Sequence, residues 1–502
     1  MKMNRLYRSM FLCSSIAAGQ AIAAPNYQPA GSDLSNGHAM QSGSIFSGLV
    51  NPASISANQD LKPDYFATAP SMGFAIEYGN VDDIFDTFDQ LAVKLGSSSN
   101  SSGGSGGGSG SENSNEGSIA DIAEKILGDD VDFSKVAQDN PELVSAIAGV
   151  AAEVAVLGSL ITLMAEEVYA KADAQLDIPI ILGTDATGGS WAVAINTSLT
   201  SKVFGLADAP LFDKDVALQN LETFLNADVN SAIKSDPINL TGGFLLNVDP
   251  ITQAVSGSFK NESLLITKVA SVDEFALNYG RQVWKQGSGQ LHVGAKLKYL
   301  RVGVSQVGIR LGDVTDSEEI FNDLKNAEFE YKNGMAVDAG VVWQDSNYNL
   351  GVTLVNLNTP EFEFDSVEID NFENQAIISQ LKRQDTYEMG SQVKLSGGLF
   401  TQDKHWSMNV GLDTNGVEDI MRDASQWASI GGAYNSDLWS IPSARLGYRK
   451  NLVGTELSYL SAGLTLFNFL NLDVASSLET VEINGTTLPR SFAVNLGIAQ
   501  SF

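Results

Sequence analysis

Leu291-His292-Val293-Gly294-Ala295-Lys296-Leu297-Lys298-Tyr299 is the stretch on which the fold turns. Apolar residues hold the odd positions, and polar, charged or very small ones hold the even positions. A period of two belongs to a strand with one dry face and one wet face. The pattern recurs down the chain. Met335, Val337, Ala339, Val341 and Trp343 alternate with Ala336, Asp338, Gly340 and Val342. Trp406, Met408, Val410 and Leu412 alternate with His405, Ser407, Asn409 and Gly411, and Ala444, Leu446 and Tyr448 alternate with Arg445, Gly447 and Arg449.

Two-faced strands build sandwiches and barrels alike, so the connections decide between them. From the strand at 275–284 onward, short gaps fall at 285–289, 344–347, 401–404, 435–441 and 467–469. Between them lie 312–333, 358–384, 415–426, a modest 452–455, and 478–490. Short turns on one rim and long loops on the other characterise membrane barrels, with the turns facing the periplasm. The expected fold is therefore all-β, a transmembrane antiparallel β-barrel of about fourteen strands, closed because an open sheet edge in lipid leaves backbone groups unpaired. Lys296, Lys298, Arg445 and Arg449 should then face the lumen and pair with Asp338, Asp413 and Asp473. A lysine facing lipid at the midplane would cost about 2–4 kcal/mol. Internal pairing is preferred to an anion-selective filter.

Outward from the barrel, the N-terminus reads as an export signal. Lys2, Arg5 and Arg8 precede a short apolar run, Ser9 to Gly19, and Ala21-Ile22-Ala23 supplies small residues at a cleavage site. The expected divisions are a signal peptide 1–23, an N-terminal hatch or plug segment 24–60, a first strand region 61–95, a Gly/Ser-rich linker 96–117, a helical insertion 118–176 and the main barrel 177–502. Within the insertion, Leu143, Ile147, Val150, Val154, Leu157, Ile161 and Met164 follow a helical stripe. Glu153 at its centre, costing about 2.5–3.5 kcal/mol in lipid, argues for a surface-packed helix over a spanning one. Export through this route places the chain in the outer membrane of a Gram-negative bacterium.

Composition removes several functions. The 502 residues carry 60 acidic against 30 basic side chains, a net charge of −30, so wrapping of nucleic acid is not expected. One cysteine, Cys13, excludes a disulfide scaffold or a cysteine zinc cluster, and three scattered histidines leave little for a metal site, so no metal or cofactor is expected. No catalytic constellation can be assembled: His292 and His405 fall on the wet faces of different strands and read as interior polar residues. The G-x-S-x-G at Gly103–Gly107 sits in the flexible linker, without the strand and helix a nucleophile elbow needs. Asp413-Thr414-Asn415-Gly416 lacks the later glutamate of a calcium loop and reads as a hairpin turn. The acidic stretches 312–333, with a capping box at Thr315-x-x-Glu318, and 358–384 read as solvated surface; their functional version is divalent-ion bridging to lipopolysaccharide phosphates.

Three resemblances follow. In the last strand, Phe492, Val494, Leu496, Ile498 and Phe502 share one face and end on an aromatic, which resembles the signal read by the barrel-assembly machinery. Gly37-His38-Ala39-Met40 followed by Asn51-Pro52-Ala53 resembles the N-terminal G-x-A-x…N-P-A pattern of FadL-type barrels. That resemblance implies that Gly37, Ala39, Asn51, Pro52 and Ala53 belong to a hatch inside a fourteen-stranded barrel that passes hydrophobic molecules. Leu277–Arg281, Gly294–Tyr299, Thr315–Glu319 and Tyr459–Leu464 resemble the barrel-type TraF-like family of conjugal transfer proteins. Two readings stand side by side. One is a passive channel with a small hydrophobic ligand; the other is a non-conducting surface barrel with partners in the conjugation machinery. Outer-membrane lipid and lipopolysaccharide are expected neighbours of either.

Overall fold

The computed structural model describes residue 29 and residues 31–36, 44–57, 65–79, 169–184, 188–206, 238–239, 244–248, 255–259, 263–310, 328–367, 375–483 and 486–501. Its staves are β1 (Tyr65–Thr68, resuming as Ser71–Tyr78), β2 (Tyr169–Thr184), β3 (Gly189–Leu206), β4 (Leu264–Gln286), β5 (Gly289–Arg310), β6 (Glu330–Gln344) and β7 (Tyr348–Val355). The ring continues with β8 (Gln392–Phe400), β9 (Trp406–Asp413), β10 (Trp427–Tyr434), β11 (Ser443–Asn451), β12 (Ser458–Leu466), β13 (Leu470–Ser477) and β14 (Ser491–Ile498, with Gln500–Ser501). Each stave pairs antiparallel with the next, and β1 closes the ring by pairing with β2 on one side and β14 on the other. The result is a closed 14-stranded barrel.

Pro70 interrupts β1 because it has no N–H to give. The register does not slip: Thr68 faces Ile180 and Gln500, and Ser71 faces Asp177 and Gly497. The wall stays sealed there, and the Pro70 carbonyl still accepts the Ile498 N–H at 2.8 Å.

Short turns gather on one rim and long connections on the other. Because the short turns align, differences in strand length appear only at the long-loop rim. β7, β9, β10 and β13 run 8 residues each, close to the about 9–11 that a tilted strand needs to cross a bilayer. β3, β4 and β5 run 18, 23 and 22 residues, so this side of the barrel projects well beyond that thickness. Two loops curl back against the projecting wall. The β7–β8 loop carries a hairpin, Glu361–Glu363 with Thr386–Glu388, and a helix, Gln375–Gln384. The β9–β10 loop carries the smaller hairpin Val417–Glu418 with Ala424–Ser425.

Facing follows the period-two pattern. Leu297 is 45% exposed and Tyr299 47%, while Lys296 and Lys298 are 5% exposed in the lumen. Phe492, Val494, Leu496 and Ile498 all point outward, and Phe502 lies outside the described residues.

Two sequence expectations need correction. The helical insertion cannot extend to 176, since Tyr169–Thr184 is a strand. Lys171, Asp173, Gln175 and Asp177 are buried and alternate with Ala170, Ala172, Ala174 and Leu176. Pairing with β1 on one edge and β3 on the other overrides the helix preference of three alanines. The remainder of that insertion, the linker 96–117 and the signal segment 1–23 lie outside the described residues. His405, expected inside the barrel, instead closes the turn before β9. Its ring faces Asp403 at 3.1 Å and Asp437 at 2.9 Å on the short-turn rim. The turn, with Lys404 at φ 56°, ends one residue too late for His405 to join the strand, which begins at Trp406.

Candidate functional site

The inward face of β5 passes through three environments: His292 and Gly294, then Lys296 and Lys298, then Leu300, Val302 and Val304. Each meets a different element, and together they lay out the lumen from the short-turn rim to the mouth.

At the bottom sits the plug. Gly280, Gly294 and Gly340 are direct cross-strand partners on β4, β5 and β6. Together they leave a flat slot in the wall. Asn51-Pro52-Ala53 fills it so closely that a Cβ on any of the three glycines would stand under 3.0 Å from Asn51 or Pro52. The Asn51 side chain donates to the backbone carbonyls of Val352 at 3.1 Å and Val341 at 3.4 Å. Its Oδ1 accepts the Ala53 N–H at 2.9 Å, starting the short helix Ser54–Ala57. Ser56 Oγ then meets His292 Nδ1 at 3.0 Å. Glycine in the wall and asparagine in the plug thus answer one another: the wall supplies space, the plug supplies donors. Gly37 and Ala39 lie outside the described residues.

A second anchor holds the Gly31–Asn36 segment against the opposite wall. Arg445 Nη2 donates to Asp473 at 2.9 Å and its Nε to Ser35 Oγ at 2.9 Å, while Ser35 donates to Asp473. Ser461 donates to the Ser35 carbonyl at 3.2 Å. Gly431 provides the close approach for Asn36.

In the middle lies a charged rung. Lys298 pairs with Asp338 at 2.7 Å, and Lys296 stands 3.8 Å from the same carboxylate. Lys296 also donates to the Leu49 carbonyl, at the end of the plug helix Ser47–Val50. Arg449 packs against aromatic rings. Its guanidinium lies between the rings of Trp427 and Tyr459, 4.4 and 4.6 Å from their centroids. Asp413 is partnered by Lys394 at 3.4 Å.

At the top, Leu300, Val302, Val304, Ala270, Val272 and Ala336 of the wall pack against Phe362, Phe364, Tyr387 and Met389 of the β7–β8 loop and Ile420 and Met421 of the β9–β10 loop. The β9–β10 loop crosses the mouth. β9–β10 and β2–β3 stand half-way round the ring from each other. Asp419 and Asp423 nevertheless reach Lys171 at 2.7 and 2.8 Å, and Asp423 also pairs with Lys202. Burial alone would raise the Asp423 carboxyl, but the two ammonium groups outweigh it and hold it below its ordinary value. The strap is also tied to its neighbour, since Arg422 donates to the carbonyls of Arg383 and Thr386.

Sequence reading misses this latch. Lys171 falls within the expected helical insertion, and Asp419 and Asp423 sit in a connection with no periodicity to give their facing. Among the described residues, no group of three or more His, Cys, Asp or Glu is placed to hold a metal ion.

Residues 48–413 match the family described as F plasmid transfer operon, TraF, protein. No curated protein matches the chain. Three solved structures are similar over nearly their whole length. The Pseudomonas putida toluene transporter TodX is 9% identical, covering 96% of this chain and 98% of its own, with a TM-score of 0.36. A deltaS2 mutant of the TodX monoaromatic hydrocarbon channel is 10% identical, covering 94% and 98%, at 0.40. A Pseudomonas aeruginosa FadL homologue is 11% identical, covering 96% and 99%, at 0.31.

Proposed function

The chain belongs to the family described as F plasmid transfer operon, TraF, protein, and from that premise we propose that it is an outer-membrane barrel admitting small hydrophobic molecules through a lumen gated at both ends. The observation that carries this reading is the apolar cluster at the mouth, where Leu300, Val302 and Val304 of the wall pack against Phe362, Phe364 and Tyr387 of the β7–β8 loop. An apolar solute that takes the place of the loop's side chains on this wall exchanges water for hydrocarbon, gaining about 25 cal/mol per Å² covered. Below this cluster, Asn51-Pro52-Ala53 of the plug is seated in its glycine slot by non-covalent contacts. Every outward stave face quoted above is apolar, which suits a lipid surround with lipopolysaccharide at the long-loop rim, and the outward set of β14 suits the barrel-assembly machinery.

The test is uptake of a small apolar dye into liposomes carrying the barrel with and without residues 24–60. Faster uptake on removal of the segment is the expected outcome. Equal, background-level uptake by both chains would overturn the reading.

A second reading is favoured by the strap. Paired charges crossing the mouth close it toward the outside, which suits a non-conducting barrel that presents its loops to a partner in plasmid transfer. Deletion that leaves uptake of apolar compounds unchanged but abolishes mating would select this reading.

A further inference from the structure

The plug and the mouth loop are both attached to the same carboxylate. On the plug side, Lys296, 3.8 Å from Asp338, donates to the Leu49 carbonyl. On the mouth side, Asp338 Oδ1 accepts the backbone N–H of Asn356 at 2.8 Å and pairs with Lys298 at 2.7 Å, and Lys298 in turn donates to Asn356 Oδ1. Asn356 is the first residue after β7, where the chain leaves the wall for the mouth loop. It stands at φ 52°, a conformation suited to asparagine or glycine, and its Nδ2 reaches the Gly390 carbonyl at the other end of that loop, at 3.4 Å. Asp338, both lysines and Asn356 are all buried.

We infer that Asp338 is a positioning residue that couples the two gates: the seated plug and the closed mouth loop stabilise one another through the Lys296–Asp338–Lys298 rung. The physical reason is that one carboxylate serves two ammonium groups and a backbone N–H. If the mouth loop withdraws Asn356, Asp338 loses its N–H donor and its carboxylate attracts the two ammonium groups more strongly. Lys296 is then drawn from the Leu49 carbonyl, and the plug helix loses its tie to the wall. The reverse holds when the plug leaves, since coupling between two sites is reciprocal. The inference deepens the gated-lumen reading, but its test does not depend on what crosses the barrel.

The test is thiol labelling. Cys13 is the single cysteine, so in a Cys13→Ser background an introduced thiol reports alone. Ser47→Cys buries a thiol in the plug helix, where a water-soluble maleimide reaches it only when the plug unseats. Asn356→Gly removes the amide while keeping a residue that tolerates φ 52°. It is expected to speed labelling of the plug thiol about fivefold or more, the lower end of ordinary coupling between sites. Asp338→Asn should speed it by at least as much, and the two together should not exceed the larger single effect. Heat-modifiable mobility on gels checks that each barrel has assembled. Lys298→Met provides a second route should Asp338→Asn fail that check. Unchanged labelling in Asn356→Gly, or effects that simply multiply, would overturn the inference. Coupled labelling in a barrel that passes no dye would leave it standing and remove the channel reading instead.

Discussion

The bottom and the top of this lumen are closed by different physics. At the bottom, a small-residue slot made by Gly280, Gly294 and Gly340 receives Asn51-Pro52-Ala53, and the contacts are backbone and amide hydrogen bonds at van der Waals range. At the top, long side chains from opposite walls meet: Lys171 and Lys202 on Asp419 and Asp423, above an apolar cluster. Shape holds the Asn51-Pro52-Ala53 seat, and charge with hydrocarbon holds the mouth. The two should therefore fail under different insults, and that gives ways to break the comparison.

The largest effect is expected at the mouth. Lys171 is buried, and its removal leaves Asp419 and Asp423 with less compensation in a low-dielectric site. Breaking a buried pair from one side costs about 3–5 kcal/mol. Lys171→Met should free the strap and make the β9–β10 loop a site of rapid protease cleavage, while plug labelling at Ser47→Cys changes far less. Strap cleavage no faster than in the parent would mean that the apolar packing of Ile420 and Met421, not the ion pairs, closes the mouth.

Next comes the wall itself. Leu297→Lys sets an ammonium on the outer face at a position that is 45% exposed, whereas its neighbour Lys298 already faces inward. The cost is about 2–4 kcal/mol at the bilayer midplane. The yield of heat-modifiable barrel should fall sharply for Leu297→Lys and little for Lys298→Arg, which keeps a cation beside Asp338. Equal yields would contradict the facing on which both gates depend.

The third test strikes the slot. Gly340→Val or Gly294→Val pushes a branched side chain into space that Asn51 and Pro52 occupy. Overpacking of this kind costs about 1–3 kcal/mol. The plug should unseat, with faster labelling at Ser47→Cys, while strap cleavage stays near the parent rate except for what passes through Asp338. A plug that stays protected would show that the Arg445–Asp473–Ser35 anchor, not the glycine slot, sets its residence.

The same contrast explains what can be read from the sequence. The wall is legible because period-two alternation is dictated residue by residue: once Leu297 faces lipid, Lys296 and Lys298 must face the lumen. The N-P-A seat is half legible. Asn51, Pro52 and Ala53 stand out, but the receiving glycines come from three strands, and only register places Gly280, Gly294 and Gly340 side by side. The strap is illegible. Whether Asp419 meets solvent or Lys171 depends on a loop crossing the whole mouth, and local pattern carries no information about that distance. Arg449 shows a third limit: its charge fixes its facing, yet nothing local places its guanidinium between Trp427 and Tyr459, on neighbouring staves.

The smallest effect belongs to the outer side of the short-turn rim, away from both gates. Hydrogen bonds to Asp437 and then Asp403 raise the His405 pKa above its ordinary value, against a slight opposing effect of burial. A group whose folded pKa is raised gives stability that is fully present below about 6.5, its unfolded value, and is lost as pH rises through the higher folded value. The turns 401–405 and 435–442 should therefore tighten on mild acidification and loosen on the alkaline side. Both partners are exposed, so salt will screen the pair and the effect on the whole barrel will be slight. Titration of the His405 ring by NMR should give a midpoint above that of a free histidine, lowered by Asp437→Asn. Neither gate should follow this titration: plug labelling and strap cleavage that moved with His405 would tie the rim turns to the lumen, and the separation between shape-held bottom and charge-held top would have to be redrawn to include them.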